Sequence, residues 1–163
     1  MTGNSLAFQK FKEADFEKYY SLVSNEQVMA QITERSIPLD EAKVNYGKLL
    51  LRNERDAIFG SYQFYLSETE EFIGLGHLTV KDELETEAEI GYMLLPQYWG
   101  KGYGSKIATI LIEMAKERNI HILKAIIDPT NTASRRILIY QGFVSEKVCE
   151  IDGLPGEILS LII

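Results

Sequence analysis

Residues 98–105 read Tyr-Trp-Gly-Lys-Gly-Tyr-Gly-Ser, which places three glycines at alternate positions between a predicted strand and the clearest predicted helix. Glycines allow a tight turn and let a ligand approach bare main-chain amides. The first amides of a helix have no partner within it and lie at the positive end of its dipole. The segment is therefore a candidate phosphate-binding loop, to which Lys101 adds positive charge, although the same glycines also suit a turn without a ligand.

The order of residues in this loop excludes two common nucleotide-binding motifs. A P-loop requires two glycines with four residues between them, followed by Lys and Ser or Thr, and that order is absent. The dinucleotide fingerprint requires a third glycine where Ile107 stands. We therefore expect a phosphate carrier other than ATP or NAD.

Outward from the loop, the hydrophobic pattern predicts an α+β protein. Helical spacing predicts helices over Ala14–Ser24, Glu26–Gln31, Pro38 to about Arg52, a segment after Gly104 that ends near Asn119, and Thr132–Gln141. Alternating or short apolar runs predict strands over Leu6–Phe11, Ser61–Ser67, Phe72–Val80, Ala88–Leu95, Ile122–Ile127, Phe143–Ile151 and Glu157–Ile163. We expect residues 152–156 to connect the last two strands. Two strand-helix-strand crossovers are too few for a doubly wound parallel sheet, so a mixed sheet covered by helices is predicted.

Composition indicates one ordinary globular domain over residues 1–163, with 45% hydrophobic and 25% charged residues. The net charge of -7 argues against binding to nucleic acid or to an anionic membrane surface. The chain has neither a 20-residue apolar run nor a signal-peptide pattern, so a cytoplasmic protein is expected. Cys149 is the single cysteine, which excludes an internal disulfide, and no metal site is predicted.

The loop resembles motif A of the GNAT superfamily of acyl-CoA N-acyltransferases, Gln/Arg-x-x-Gly-x-Gly/Ala, with Trp99 in the position of Gln or Arg. The string from Glu89 to Pro96, followed by residues 98–103, is similar to the RimJ/RimL branch. Asn131 and Ser134, with Gly142-Phe143 downstream, resemble the second signature of the family.

This resemblance implies a three-layer fold in which a mixed, mostly antiparallel, seven-stranded sheet is flanked by about four helices. It implies that the fourth and fifth strands splay apart and that the pantetheine arm of acetyl-CoA lies between them, with main-chain contacts from Met93 and Leu95. It also implies that the pyrophosphate binds the amides of Gly100, Lys101, Gly102, Tyr103, Gly104 and Ser105. Asn131 would bond the pantetheine amide, although an Asn before a helix is also an ordinary cap.

The catalytic groups follow from the same resemblance and from the chemistry of acyl transfer. Many relatives place an acidic Tyr where this chain has Leu138, and Tyr140 lies about 200° further around a helix. Ser134 or solvent is therefore the candidate acid. Glu89 is the candidate base, although it also suits a solvated strand position. Met93 or Leu94 could donate to the carbonyl oxygen, and His77 could face the same cleft.

We therefore expect an enzyme that transfers an acetyl group directly from acetyl-CoA to a primary amine, in a ternary complex. A protein N-terminus and a small amine or polyamine both remain open as acceptors. The alternative is a non-catalytic acetyl-CoA sensor or interaction module. Family members often dimerise, so the resemblance makes a homodimer one possible assembly and leaves the oligomeric state open.

Overall fold

The computed structural model describes residues 5–80 and 86–163, and within them seven strands form one sheet. The strands are β1 (Leu6–Lys10), β2 (Gly60–Leu66), β3 (Phe72–Thr79), β4 (Glu87–Leu94), β5 (Ile122–Ile127), β6 (Val144–Ile151) and β7 (Leu154–Ile162). The helices are α1 (Phe16–Val23), α2 (Glu26–Met29), α3 (Leu39–Arg55), α4 (Tyr103–Glu117) and α5 (Thr132–Tyr140), with 3₁₀ turns at Glu13–Asp15 and Pro96–Tyr98. The predicted class and the mostly antiparallel sheet are confirmed, and the short helix expected over Glu26–Gln31 is observed as the one-turn helix α2.

The sheet order is β1-β2-β3-β4-β5-β7-β6, and the β4–β5 pair is parallel while the other pairs are antiparallel. Strands β4 and β5 pair only from Glu87–Ile122 to Glu89–Lys124. Beyond these residues the two strands separate. We call the opening between residues 90–94 of β4 and 125–127 of β5 the wedge. The expected splay of the fourth and fifth strands is thus present.

Helices cover the two faces of the sheet through two separate apolar cores. Helix α4 buries all five residues of its predicted stripe, and with Leu138 of α5 it packs on one face. Helices α1, α2 and α3 pack on the other face, against residues such as Leu75. Members of the α4 stripe are Ile107, Ala108, Leu111, Ile112 and Ala115. The wedge therefore opens toward α4 and α5 on one face of the sheet, and these helices are absent from the other face.

The connection between the last two strands and the start of the first helix differ from those predicted. The β6–β7 connection is the two-residue turn Asp152-Gly153, with φ angles of 52° and 82°, rather than residues 152–156. Positive φ at both central positions is the type I′ geometry that Asp-Gly favours, so β7 begins at Leu154 and includes Pro155. The first helix begins with the 3₁₀ turn Glu13–Asp15 and becomes α-helical at Phe16. None of the helices in the described part of the chain is both long and apolar enough to span a membrane.

Candidate functional site

Three aromatic side chains hold the glycine loop in place. The Tyr98 hydroxyl donates to Glu71 Oε2 at 2.6 Å, and this bond is the main cause that raises the pKa of Tyr98 to about 12. Trp99 Nε1 donates to the carbonyl oxygen of Leu94 at 2.9 Å. Tyr103 is buried and packs edge-on against Tyr98, with ring centroids 6.2 Å apart. The loop is therefore tied to both strand β4 and the core.

The three glycines of the loop serve two different geometric needs. Gly100 and Gly102 have φ angles of 72° and 87°, which L side chains rarely adopt. Gly102 is the N-cap of α4, so the first amides of α4 have no carbonyl partner within the helix. A Cβ atom on Gly104 would lie 3.1 Å from Ile137 Cδ1, so this glycine allows α4 to approach α5. The candidate phosphate-binding loop thus leads into the N-terminus of α4, and Lys101 is exposed beside it.

The main-chain groups of β4 alternate between its two neighbours. In an antiparallel pair, alternate residues turn both N–H and C=O toward the partner. Leu95 N donates to Ile73 O at 2.9 Å, so the odd-numbered residues of β4 that share its register face β3. On the other side, Thr86 O accepts from His121 N and Ile122 N, so the even-numbered residues face β5.

Tyr92 and Leu94 are even-numbered residues beyond the last β4–β5 pair, so their main-chain groups face the wedge. Leu94 O accepts from Trp99, which leaves the Leu94 N–H directed at the wedge. Main-chain contacts from Met93 and Leu95 do not fit this register. Met93 faces β3, and Leu95 O accepts from Tyr98 N at 3.0 Å while Leu95 N is bonded to Ile73. Of the two residues considered as donors to the carbonyl oxygen, Leu94 has the suitable orientation.

Asn131 and Ser134 lie at the N-terminus of α5, on the side of the sheet that α4 covers. Asn131 Oδ1 accepts from Ser134 N at 3.2 Å, so the expected cap is present, and the cap does not use the amide NH₂ group of Asn131. Ser134 Oγ donates to the Tyr92 hydroxyl at 3.2 Å. Burial raises the pKa of Tyr92, and the bond from Ser134 opposes that shift. Strand β4 and helix α5 are therefore joined by two hydroxyl groups.

An ion pair between the half-exposed Arg135 and the buried Glu157 fixes the position of α5 against the sheet. Arg135 Nε donates to Glu157 Oε1 and Oε2 at 3.1 and 3.2 Å, and the Glu157 side chain is 3% exposed. Hydrogen bonds from Ser145 first, and then from Arg135, lower the pKa of Glu157. The charged pair thereby holds the N-terminal turn of α5, with Asn131 and Ser134, at a constant place.

Neither Leu138 nor Tyr140 of α5 is placed to act as the acid, as the sequence predicts. Leu138 is fully buried in the core on the α4 side. Tyr140 is 86% exposed, so it points away from the sheet as its spacing predicts. Ser134 therefore remains the α5 side chain with a hydroxyl near the wedge.

Glu89 lies on the opposite face of the sheet, because odd-numbered residues of β4 turn their side chains away from α4. Its Oε2 atom is 3.5 Å from His77 Nε2. Glu89 also lines a groove of about 460 Å³ on this face, together with Thr79, Lys124, Ile126, Glu146 and Ile158. Lys124 donates to Glu146 across the groove floor. The two sets of candidate residues thus meet at the wedge from opposite faces.

Sequence reasoning missed Tyr92, the two anchoring contacts of Tyr98 and Trp99, and the pairing of His77 with Glu89. Tyr92 is the last residue of the Glu89-Ile-Gly-Tyr92 string, so the family resemblance could have indicated it. The sequence places His77 near the cleft but does not indicate that it pairs with Glu89. No group of three His, Cys, Asp or Glu side chains suited to a metal ion occurs within residues 5–80 and 86–163.

Comparison with known proteins agrees with this geometry. Residues 5–144 match the family model described as the acetyltransferase (GNAT) domain. The chain is 30% identical over 149 residues to the uncharacterised N-acetyltransferase YnaD of Bacillus subtilis (strain 168), covering 85% of this chain and 78% of that protein.

Two solved structures share the fold. Spermidine N-acetyltransferase from Vibrio cholerae, in complex with CoA and spermine, matches with a TM-score of 0.80, at 18% identity and over 96% of this chain and 95% of that one. The RimL ribosomal L7/L12 alpha-N-protein acetyltransferase, in complex with coenzyme A, also matches with a TM-score of 0.80, at 17% identity and over 100% of this chain and 97% of that one. The glycine loop, the wedge and the family match together assign the chain to the GNAT family of acetyltransferases.

Proposed function

We propose that the protein transfers the acetyl group of acetyl-CoA directly to a primary amine in a ternary complex. The observation that supports this proposal is the wedge, which begins where β4 and β5 stop pairing and ends beside the N-terminus of α4. A helix N-terminus with glycines suits a pyrophosphate, and an unpaired strand edge suits the amide groups of a pantetheine arm. Acetyl-CoA supplies an activated acetyl thioester to this site.

Each candidate residue has a defined task in the proposal. The loop amides of residues 100–105, with Lys101, bind the pyrophosphate. The main chain of Tyr92 binds the arm, in place of Met93 and Leu95. The Asn131 side-chain NH₂ group adds a contact from α5, and Ser134 donates a proton to the sulfur as the thiol leaves. Leu94 N–H stabilises the carbonyl oxygen.

The amine reaches the wedge from the face that carries Glu89 and the groove. Its proton must be lost there, since only the neutral amine is a nucleophile. The carboxylate of Glu89 belongs to this proton-accepting side. The acceptor is a protein N-terminus, or a small amine such as the polyamine named for the Vibrio cholerae neighbour.

The test is an acetylation assay on a panel of spermidine, spermine, other small primary amines and peptides with free N-termini. Thiol release and the mass of the product measure transfer. Glu89→Gln should lower kcat by about 100-fold and leave the affinity for acetyl-CoA unchanged. Glu113→Gln is the matched control, because that carboxylate is exposed on α4 and far from the sheet face in question. Binding of acetyl-CoA without transfer to any amine would instead support a non-catalytic sensor.

A further inference from the structure

His77 and Glu89 form a pair on the sheet face opposite α4. His77 of β3 lies directly across from Gly91 of β4, and Glu89 precedes Gly91 by two residues on the same face. The Nε2–Oε2 distance is 3.5 Å, and each side chain is 28% exposed. Both groups are therefore held by neighbouring strands and remain open to a molecule that arrives from solvent. Such contacts are often long before the substrate binds.

The absence of a side chain at Gly91 lets the imidazole lie over β4. A Cβ atom at Gly91 would be 2.4 Å from His77 Cε1 and 2.9 Å from Nε2, which is closer than real Cβ contacts allow. Gly91 is also two residues past Glu89, whose pairing with Lys124 is the last contact between β4 and β5. The ring is thus placed at the narrow end of the wedge, where an arm that enters from the α4 side would end.

In this pair the carboxylate of Glu89 is placed to orient the imidazole of His77. A carboxylate beside Nε2 favours the tautomer with hydrogen on Nε2, which makes Nδ1 the basic nitrogen. None of the described residues donates a hydrogen bond to Nδ1. The other charges near Glu89 on the neighbouring strand belong to Lys124 and its partner Glu146, which bond to each other. An imidazole is also a better matched base than a carboxylate near neutral pH.

We propose that His77 is the catalytic base and that Glu89 is its positioning residue, a conclusion that rests on the proposed function. His77 Nδ1 takes one proton from the ammonium group of the acceptor, and the freed nitrogen forms a bond with the acetyl carbon. The C–S bond breaks with its electron pair on sulfur. The second amine proton reaches the sulfur through Ser134 or water, and His77 returns its proton to solvent.

The kinetic test compares the two histidines of the chain. His77→Ala should lower kcat by about 100-fold or more while the affinity for acetyl-CoA is unchanged. Added imidazole should restore part of the rate in proportion to its free-base concentration, which a purely structural loss would not allow. His121→Ala removes an exposed imidazole after α4 and should keep the wild-type rate. Full activity of His77→Ala, or a loss that imidazole does not restore, would overturn the proposal.

A second readout does not depend on turnover. Nitrogen-15 spectra of the two imidazoles, at about pH 8 where an ordinary imidazole is neutral, should show hydrogen on Nε2 of His77. Glu89→Gln should remove that preference and leave the His121 signals unchanged. Gly91→Ala should displace the ring and reproduce the activity loss of His77→Ala without removing a titratable group. A His77 tautomer that is the same in wild type and Glu89→Gln contradicts the pair, whereas a protein that transfers no acetyl group contradicts the proposed function instead.

Discussion

Gly102 and Gly47 show how the same substitution acts oppositely at two places in one chain. A Cβ atom would meet no other atom within 4 Å at either position. Gly102 has a φ of 87° at the N-cap of α4, whereas Gly47 lies within the regular helix α3. The backbone conformation alone therefore decides whether alanine at each position raises or lowers the free energy of unfolding.

We expect Gly102→Ala to lower the free energy of unfolding by about 1 kcal/mol, because the left-handed conformation is unfavourable for L residues. Gly47→Ala should raise it by about 0.5–1 kcal/mol, because alanine loses less conformational freedom in a helix. Urea unfolding of the two variants measures both changes. Shifts in the same direction would contradict the assigned loop geometry.

Trp99 shows at the residue scale how a departure from the family pattern is accommodated. The pattern has Gln or Arg at this position, and the sequence therefore left its role undefined. In the structure the indole N–H bonds to Leu94 O, and the ring is 46% exposed beside the loop. The residue therefore anchors the loop to β4 with a neutral donor.

At the scale of elements, the connection after α3 is held to the end of α4 by one carboxylate. Asp56 accepts from Arg118 Nη1 and Nη2 at 2.6 and 3.0 Å. Its Oδ1 atom also accepts from the main-chain N–H groups of Ile58 and Phe59. The hydrogen bonds from Arg118 are the largest cause that holds the pKa of Asp56 well below its usual range.

Asp56→Asn should lower the free energy of unfolding at neutral pH by about 2 kcal/mol, which is typical for hydrogen bonds between charged groups. A carboxylate with a depressed pKa in the folded state stabilises the fold above the unfolded pKa near 4 and loses that effect as pH falls further. The difference between wild type and variant should therefore shrink below about pH 4. Urea unfolding at neutral and acidic pH checks this, and a difference that does not change with pH would contradict it.

The helices and strands were largely predictable from the sequence. The main-chain groups of β4 that face the wedge were not. The apolar stripe of α4 and the left-handed Asn119 after it follow directly from the sequence. In β4, by contrast, both faces are packed, with Ile90 on the α4 side and Met93 on the side of α1–α3. Such a strand shows no alternation, so its register against β3 decides which main-chain groups face the wedge. The main-chain groups of Met93 and Leu95 face β3 for this reason, which the sequence could not indicate.

At the scale of the whole molecule, the candidate site residues lie on both faces of the sheet. The loop, Asn131, Ser134 and Tyr92 lie on the side of α4 and α5, and Glu89 with His77 lies on the other. The sequence identified most of these residues from motifs but could not place them on opposite faces. The pairing of His77 with Glu89 depends on strand register, which contacts distant in sequence determine.

The two-sided arrangement also explains how a net charge of -7 is compatible with a phosphate-rich ligand. The loop presents a helix N-terminus and Lys101, so in the proposed function local groups rather than the overall charge attract the pyrophosphate. The net negative charge does not oppose a cationic amine.

The most direct test of the account is residue-resolved amide hydrogen exchange, measured by NMR with and without acetyl-CoA. We predict slower exchange at Tyr92 and Leu94, whose N–H groups face the wedge, and at residues 103–105 of α4. Met93 and Leu95 serve as internal controls, because their N–H groups already face β3, and NAD serves as the ligand control. Acetyl-CoA that binds without slowing exchange at Tyr92 and Leu94 would contradict the placement of the acetyl-carrying arm in the wedge.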